Sequence, residues 1–333
     1  MSGFVNVPMS WNPRNDKSIA WDGGKITRPG IYKNLSLEAY HNPDICDGPS
    51  ISSSGLRDIN PDRGSPAHFY AQWAGNPDAV PRDSAAFVLG RAAHHLMLGQ
   101  DFFARLFVQE PSETHDAKGE LKPWSYQLKS AKEWREKRIQ EGRIPLSDSQ
   151  VNAIKQMAVS LGNHPLVRQG ALSGLVERSM FWRDKETGIW LKSRPDAIPT
   201  DSGDFVDLKT TPSIMWNDLS RTLREFSYYQ QAALIRTASR EVLGIEMASF
   251  TLIFVEKKPP WCTRDVRIDD QDLHRGERMN RACLRTFARC IKERRWPGPG
   301  DGNEGNERLS LSPAAREAID NRLKMEGLAD GED

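Results

Sequence analysis

The chain has 333 residues, of which 38% are hydrophobic and 27% are charged, and its formal net charge is +1 at pH 7. This composition excludes a disordered chain and is typical of a globular protein with one large core or two domains. A charge this close to zero excludes binding of nucleic acid through overall charge, so any such affinity must come from local basic patches.

The cysteines and the first residues indicate where the protein works. No apolar run approaches the length of a membrane span. The N-terminus lacks a basic start followed by an apolar stretch, so we expect a cytoplasmic protein with no membrane partner. Neither disulfides nor an iron–sulfur cluster is expected, because the cysteines are scattered without a close group of thiolates; they are Cys46, Cys262, Cys283 and Cys290.

The first fifth of the chain has few packing signals. Residues 1–50 are rich in Pro, Gly and Asn, which predicts an irregular arm. The sequence SISSSGL at 50–56 then predicts the start of a helix. Its serines either cap that helix or contact a phosphate, and Ser53 is the candidate for the contact.

A second helix is predicted over residues 84–99, where an apolar pattern ends at Gly99. His94 lies one turn after Gly90, which leaves room beside the imidazole on the face expected to meet a sheet. A lone histidine there is either a satisfied core residue or a ligand. Residues 100–170 read as an insertion with one charged helix and one amphipathic helix, the latter serving as core or lid.

Three short strands are predicted between residues 174 and 211. Residues 179–182 and 189–192 are aromatic or β-branched and flank the turn Asp-Lys-Glu-Thr-Gly. Residues 205–211 follow the turn signal Asp-Ser-Gly-Asp. Three strands in succession suggest a meander, in which each strand pairs with the next.

The third strand places two charged side chains on one face. Asp207 and Lys209 are two residues apart and point to one side, while Val206 and Leu208 point to the other and can be buried. Just upstream, Asp196 follows a proline that interrupts strand pairing, so it belongs at a strand end or bulge.

These acids have the chemistry of a metal-dependent phosphodiesterase. With Glu177, which opens the first strand, Asp196 and Asp207 supply hard oxygen ligands for Mg²⁺, and the Leu208 carbonyl lies beside them. Lys209 would orient the attacking water or offset charge. Solvated acids on a surface hairpin are the alternative, because the spacing of Asp207 and Lys209 is common by itself.

Helices and strands alternate after residue 211. One long helix is predicted over 217–243, with Leu219, Phe226, Tyr229 and Ala233 on its inner stripe. A buried strand over 248–255, an edge strand over 264–268 and a helix over 270–294 follow. The long helix also carries arginines that are either a solvated face or phosphate contacts; they are Arg221, Arg224, Arg236 and Arg240.

The composition changes after Trp296. Residues 297 onward begin with PGPGDGNEGNE, which predicts a flexible linker followed by a tail with few large apolar groups. We therefore expect three regions: an arm over 1–50, a catalytic domain over 51–296 and a tail over 297–333.

Six motifs in order give the chain a family resemblance. They are SISSSGL at 50–56, GRAAHHLML at 90–98, the segment around Glu177, SRPDAI at 193–198, DLKTT at 207–211 and YYQQAAL at 228–234. Together they resemble the RecE-type exonuclease VIII family of phages and prophages, within the PDDEXK nuclease superfamily. The resemblance implies an α/β fold with a restriction-endonuclease-like core, in which a mixed central sheet is flanked by helices.

The resemblance also implies a site and partners. His94 would approach the metal, and Gln231 matches a family glutamine expected to contact DNA, although the tyrosine four residues later is Ile235 here. The cofactor would be Mg²⁺, with Mn²⁺ able to substitute. The substrate would be linear double-stranded DNA, cut from its 5′ ends during phage recombination. A single-strand annealing protein and a homo-oligomeric ring are the implied partners.

Two alternatives remain at this stage. One is a nuclease similar to Cas4 or RecB, which would cut with a different polarity. The other is a DNA-binding module that keeps the fold without catalysis. The presence of Asp196, Asp207, Glu177 and Lys209 in the expected order argues against the second alternative.

Overall fold

The computed structural model describes residues 16–79, 92, 103, 106–176, 178–199, 202–301 and 310–328. The chain divides into one compact unit that ends at Trp296 and another that begins at Pro297. The described helices are α1 Leu37–His41, α2 Ser53–Ile59, α3 Pro66–Tyr70, α4 Lys129–Gln140, α5 Asp148–Gly162, α6 Pro165–Arg168, α7 Trp216–Glu225, α8 Tyr228–Ala238, α9 Asp270–Glu293 and α10 Pro313–Met325, and a π-helical turn at Ser239–Leu243 extends α8.

The described strands form one five-stranded sheet, one three-stranded sheet and several pairs. They are β1 Ile19–Ala20, β2 Gly30–Lys33, β3 Ser50–Ser52, β4 Phe107–Gln109, β5 Glu113–His115, β6 Leu121–Pro123, β7 Ile144–Leu146, β8 Leu175–Val176, β9 Ser179–Arg183, β10 Trp190–Ser193, β11 Ala197–Ile198, β12 Asp204–Thr211, β13 Ser249–Glu256 and β14 Thr263–Arg267.

The five-stranded sheet has the order β1-β2-β9-β10-β3. Its antiparallel hairpin β9–β10 confirms two of the three predicted strands. The prediction of an irregular arm is wrong for much of residues 16–50, because β1, β2 and α1 pack onto this hairpin. The residues that bury this contact are Ile26, Tyr32, Leu35, Tyr40, Ile45, Cys46, Phe181 and Trp190. These elements are too short to give a periodic sequence pattern.

The third predicted strand belongs to a different sheet, so the predicted meander is wrong. β12 pairs in parallel with β13, with Asp207 opposite Leu252, and β14 pairs antiparallel on the other side of β13. A parallel pair needs a long crossover connection, and α7 and α8 supply it. β8 and β11 form a separate antiparallel pair, and β11 contacts β12.

Each face of β12 and β13 carries its own hydrophobic cluster. Phe205, Phe250 and Phe254 pack in the cluster that includes residues of α8 and α9. Leu208 and Ile253 are fully buried on the other face, in the cluster that includes α5. Burying each such side chain stabilises the fold by roughly 1.5–3 kcal/mol. The predicted amphipathic helix is thus a core element, α5, which begins at a capping box formed by Ser147.

The predicted helix over 217–243 is broken. α7 ends at Glu225, Ser227 adopts a left-handed conformation with φ of +50°, and α8 restarts at Tyr228. Phe226, predicted for the inner stripe, is 47% exposed as a result. The longest described helix is instead α9, the helix predicted over 270–294.

A glycine fixes how closely α9 approaches α8. A Cβ atom on Gly276 would lie 2.6 Å from the Tyr229 carbonyl oxygen and 2.7 Å from the Ala233 Cβ, so no larger residue fits without a shift. This close contact holds α8 against the sheet. Among the described helices, none combines the length and the hydropathy that crossing a membrane requires.

Candidate active site

Two charged side chains of β12 face α8. Asp207 and Lys209 lie on one side of the strand and Leu208 on the other, which is the predicted alternation. The Asp207 side chain is 2% exposed. Its Oδ1 accepts a hydrogen bond of 3.0 Å from Gln231 Nε2, and its Oδ2 forms an ion pair with the Lys209 ammonium. A buried carboxylate is tolerated here because both oxygens have polar partners.

Asp196 reaches the same point of β12 from the loop before β11. Its Oδ2 accepts a hydrogen bond of 2.6 Å from the Leu208 backbone N–H. Ala197 pairs with Val176 of β8, which fixes the strand that follows Asp196. The structure therefore brings together the two acids that the sequence placed on separate elements.

These donors fit a hard divalent cation. Mg²⁺ commonly takes one or two carboxylates and fills its remaining positions with water and substrate phosphate. Asp196, Asp207 and the Leu208 carbonyl would hold it. The other two predicted ligands, Glu177 and His94, lie outside the described residues. Within the described part of the chain, no three His, Cys, Asp or Glu side chains form a metal-binding group, so the described ligands amount to a two-carboxylate site.

The Lys209 ammonium is electrostatically stabilised. Burial lowers the pKa of Lys209, but the charges of Asp207, Tyr228 and Asp196 outweigh burial and raise the pKa above its ordinary value of 10.5. Its Nζ also lies 5.0 Å from the centroid of the Tyr228 ring, within the range of a cation–π interaction. The contacts of Lys209 therefore favour its charged form, which is a hydrogen-bond donor.

Two arginines that the sequence analysis did not identify border this site. Arg57 Nη1 donates a hydrogen bond of 2.9 Å to the Phe226 carbonyl, and Arg63 Nη1 donates one of 3.4 Å to the Glu225 carbonyl. Burial raises the pKa of the Tyr228 hydroxyl, while the positive charges of Lys209, Arg57 and Arg63 lower it in part. Cations thus surround Tyr228. The available sequence signal was weak, because Arg57 is a single basic residue one turn after the serines.

The serines of α2 do not cap it through their side chains. Ser52 occupies the N-cap position without a side-chain hydrogen bond to the helix, and its hydroxyl lies 2.9 Å from that of Ser54. The Ser53 hydroxyl is buried and has no hydrogen-bond partner among the described residues. Side-chain capping of α2 by these serines is therefore not observed, and a phosphate contact by Ser53 stays a prediction.

The arginines predicted to bind DNA differ in their surroundings. Arg236 is 7% exposed and pairs with Glu277 of α9 at 2.7 Å, so the geometry does not support it as a phosphate contact. Arg221 is exposed on α7 and pairs with Asp218 at 2.7 Å. Arg224, also exposed on α7, lines a cleft of about 440 Å³ between α7 and α9 and stays a candidate.

The Gln231 amide donates a hydrogen bond to Asp207, and the DNA contact of Gln231 stays a prediction. The turn of α8 that carries Gln231 is held by the preceding residue, Gln230. The Gln230 side-chain oxygen accepts a hydrogen bond of 3.1 Å from Asn60, and its backbone carbonyl accepts one of 2.9 Å from Asn280. Gln231 therefore orients the Asp207 carboxylate.

Replacing Gln231 with leucine is expected to reduce cleavage roughly 10- to 100-fold, the usual effect of losing a side chain that orients a metal ligand. The Mg²⁺ concentration for half-maximal rate should rise, and DNA affinity in Ca²⁺ should stay unchanged. Gln140→Leu, at an exposed position of α4, is the matched control. Weaker DNA binding with an unaltered Mg²⁺ requirement would instead support a DNA contact.

The comparisons with known proteins agree with this architecture. A family model described as a PDDEXK-like domain of unknown function (DUF3799) matches residues 52–304, which include every site residue described above. No curated protein matches the sequence. The chain is similar to the crystal structure of a "Putative exonuclease" from Eubacterium rectale, with 15% identity and a TM-score of 0.56, over 85% of this chain and 98% of that chain. At this identity the likeness concerns the fold, and the predicted mixed α/β fold is confirmed.

Proposed function

Because the chain belongs to the DUF3799 family of PDDEXK-like domains, we propose that it is a nuclease, and specifically a Mg²⁺-dependent exodeoxyribonuclease of the RecE type. It would degrade linear duplex DNA from 5′ ends and leave 3′ single strands. The observation that carries the proposal is the meeting of Asp196, Asp207 and Lys209 at one point of β12. Two carboxylates can hold a divalent cation for phosphodiester hydrolysis, and an ammonium beside them can stabilise developing negative charge.

Each residue has a distinct part in the reaction. Bound Mg²⁺, or Mn²⁺ in its place, would neutralise charge on the scissile phosphate. Asp196 and Asp207 would hold the cation, and Gln231 would keep the Asp207 carboxylate in position. Lys209 would donate hydrogen bonds to the attacking water or to a phosphate oxygen. The water oxygen would lose a proton to solvent as it bonds to phosphorus, the bond to the leaving oxygen would break, and that oxygen would take up a proton from solvent.

DNA would approach through the cations beside Tyr228. Arg63 is expected to meet a phosphate, so Arg63→Ala should weaken DNA binding and reduce the slope of affinity against salt by about one ion. Arg285→Ala on α9 is the matched control and should change neither quantity, because its Nε and Nη2 are both bonded to the Glu186 carboxylate, whereas Arg63 Nε lies 3.6 Å from Asp58. Fluorescence anisotropy in Ca²⁺ at several salt concentrations gives both quantities. Equal effects of the two substitutions would contradict this path.

The RecE-type resemblance supports further parts of the proposal. The protein would act in phage or prophage recombination in the cytoplasm, together with a single-strand annealing protein. A homo-oligomeric ring threaded by duplex would explain a requirement for a free end. Such a ring would also select DNA by shape, and affinity should vary little with base sequence.

Polarity is tested with linear duplexes that carry a label at one 5′ or one 3′ end. The proposal predicts that Mg²⁺ releases the 5′ label as short products at once, while the 3′ label stays on long single strands. Early release of the 3′ label alone would point to a nuclease of the other polarity, and no release of either label would leave a binding module.

A further inference from the structure

The break between α7 and α8 exposes an aromatic ring beside the site. Phe226 is 47% exposed, and its ring stacks on that of Tyr228 with centroids 5.6 Å apart and planes inclined by 16°. The Tyr228 ring in turn lies 5.0 Å from Lys209 Nζ. We call Phe226 and Tyr228 the aromatic column, because the two rings lead from Lys209 to the surface.

The backbone around the column is held in place. Ser227 adopts the left-handed conformation that non-glycine residues rarely take, and its N–H donates to the Arg224 carbonyl at 3.0 Å. Arg57 binds the Phe226 carbonyl at 2.9 Å. Strained backbone of this kind persists where its surroundings fix it, and it is common at ligand-binding positions. The exposed ring is therefore presented by a fixed turn.

An exposed aromatic residue is ordinary by itself, and its neighbours distinguish Phe226. Tyr126 has nearly the same exposure, 46%, and also has an arginine near its ring, Arg135 at 5.7 Å, but its hydroxyl is hydrogen-bonded to Glu110 and no ring contact joins it to Lys209 among the described residues. Phe226 has Arg63 at 6.0 Å from its ring centroid and is joined to Lys209 through Tyr228. A flat apolar surface bordered by cations matches a nucleotide, whose base is flat and whose phosphate is negative.

We propose that the aromatic column stacks on an unpaired base of the DNA strand being cut, next to the scissile phosphate. This rests on the proposed function and names the state of the substrate that the site accepts. A base inside a duplex has both faces covered by its neighbours, so a base can stack on the rings only after it has left the duplex or where it lies at the very end. Every base has such a face, so the contact tolerates any sequence.

The test is a double-mutant cycle that pairs a side chain with a base. DNA with a short single-stranded end is prepared with an abasic residue at each of the first four positions in turn, and affinity is measured by anisotropy in Ca²⁺. For wild type, one abasic position should weaken binding roughly 10-fold, the size of a single stacking contact. Phe226→Ala should weaken binding of intact DNA by a similar factor and show no further loss with that abasic DNA. Phe226→Trp should keep the affinity, and Tyr126→Ala should behave as wild type.

Two results would overturn the proposal. One is a Phe226→Ala protein that binds intact DNA with wild-type affinity. The other is an independent effect of the two changes, in which the affinity loss from Phe226→Ala and the loss from the abasic residue multiply at all four positions. Cleavage of a linear duplex by wild type in Mg²⁺ is measured separately. If Phe226 and one base are coupled in binding but no DNA is cleaved, the proposed nuclease activity is refuted and the stacking contact is supported. If DNA is cleaved but no base is coupled to Phe226, the stacking contact is refuted and the nuclease activity is supported.

Discussion

Replacing Asp207 with asparagine is expected to reduce DNA cleavage by roughly 10²- to 10³-fold or more, the effect of removing a charge aimed at the reacting group. An asparagine oxygen can still accept the hydrogen bond from Gln231. The substitution removes the negative charge, and with it both the pair with Lys209 and a strong ligand for Mg²⁺. The initial rate of label release from linear duplex at saturating Mg²⁺ measures the effect.

The fold should survive this substitution with a lower melting temperature. Lys209 loses its nearest carboxylate. Removing one partner of a buried ion pair lowers the free energy of unfolding by on the order of 3 kcal/mol. The charge of Asp196 and the Tyr228 ring still stabilise the ammonium, so unfolding should stay cooperative. Asp204→Asn, at an exposed position of the same strand, is the control and should cleave normally. Wild-type turnover by Asp207→Asn would show that the site lies elsewhere.

Replacing Lys209 with methionine is expected to slow cleavage by roughly 10²-fold or more at saturating DNA and Mg²⁺. Methionine keeps an apolar stem against Tyr228 but cannot donate a hydrogen bond to water or phosphate. The Mg²⁺ concentration for half-maximal rate should not rise, because removing an ammonium beside Asp207 removes a competing cation. Single-turnover rates across a Mg²⁺ titration separate these effects. A collapse of DNA affinity with an unchanged maximal rate would instead make Lys209 a phosphate clamp.

The raised pKa of Lys209 also predicts how stability depends on pH. Because the folded-state pKa is raised, the stabilisation from the pair with Asp207 is fully present below the ordinary lysine value of 10.5. It is lost as pH rises through the higher folded-state value. The difference in melting temperature between wild type and Lys209→Met should therefore be constant near neutral pH and shrink only above pH 10.5. A difference that shrinks between about pH 7 and 9 would contradict the raised pKa.

The sequence predicted that Asp207 and Lys209 share one face of a strand, because that arrangement depends on local spacing. The two-residue period of a strand places Asp207 and Lys209 on one face whichever strand β12 pairs with. The proline before Asp196 marks a strand end for an equally local reason. These inferences needed no knowledge of the tertiary fold, and the structure places the three side chains as expected.

The remaining differences depend on contacts between distant segments. The predicted meander is wrong because β12 pairs with β13 across the crossover formed by α7 and α8. The residue pattern of a strand does not identify the strand with which it pairs. The prediction of one long helix is wrong at Ser227, because no strong sequence signal marks a serine in the left-handed conformation. Gln231 was recognised by a motif, but only the packing of α8 on β12 shows that its amide meets Asp207.

The most direct test of the account compares end-labelled linear duplex with covalently closed circular duplex of the same sequence. Each is incubated with wild type or Asp207→Asn in Mg²⁺ or in EDTA. We expect wild type to degrade the linear DNA only with Mg²⁺ and to leave the circle intact. The Asp207→Asn protein should degrade neither DNA. Efficient cutting of the closed circle would contradict an exonuclease, and cleavage in EDTA would contradict a metal-dependent site at Asp196 and Asp207.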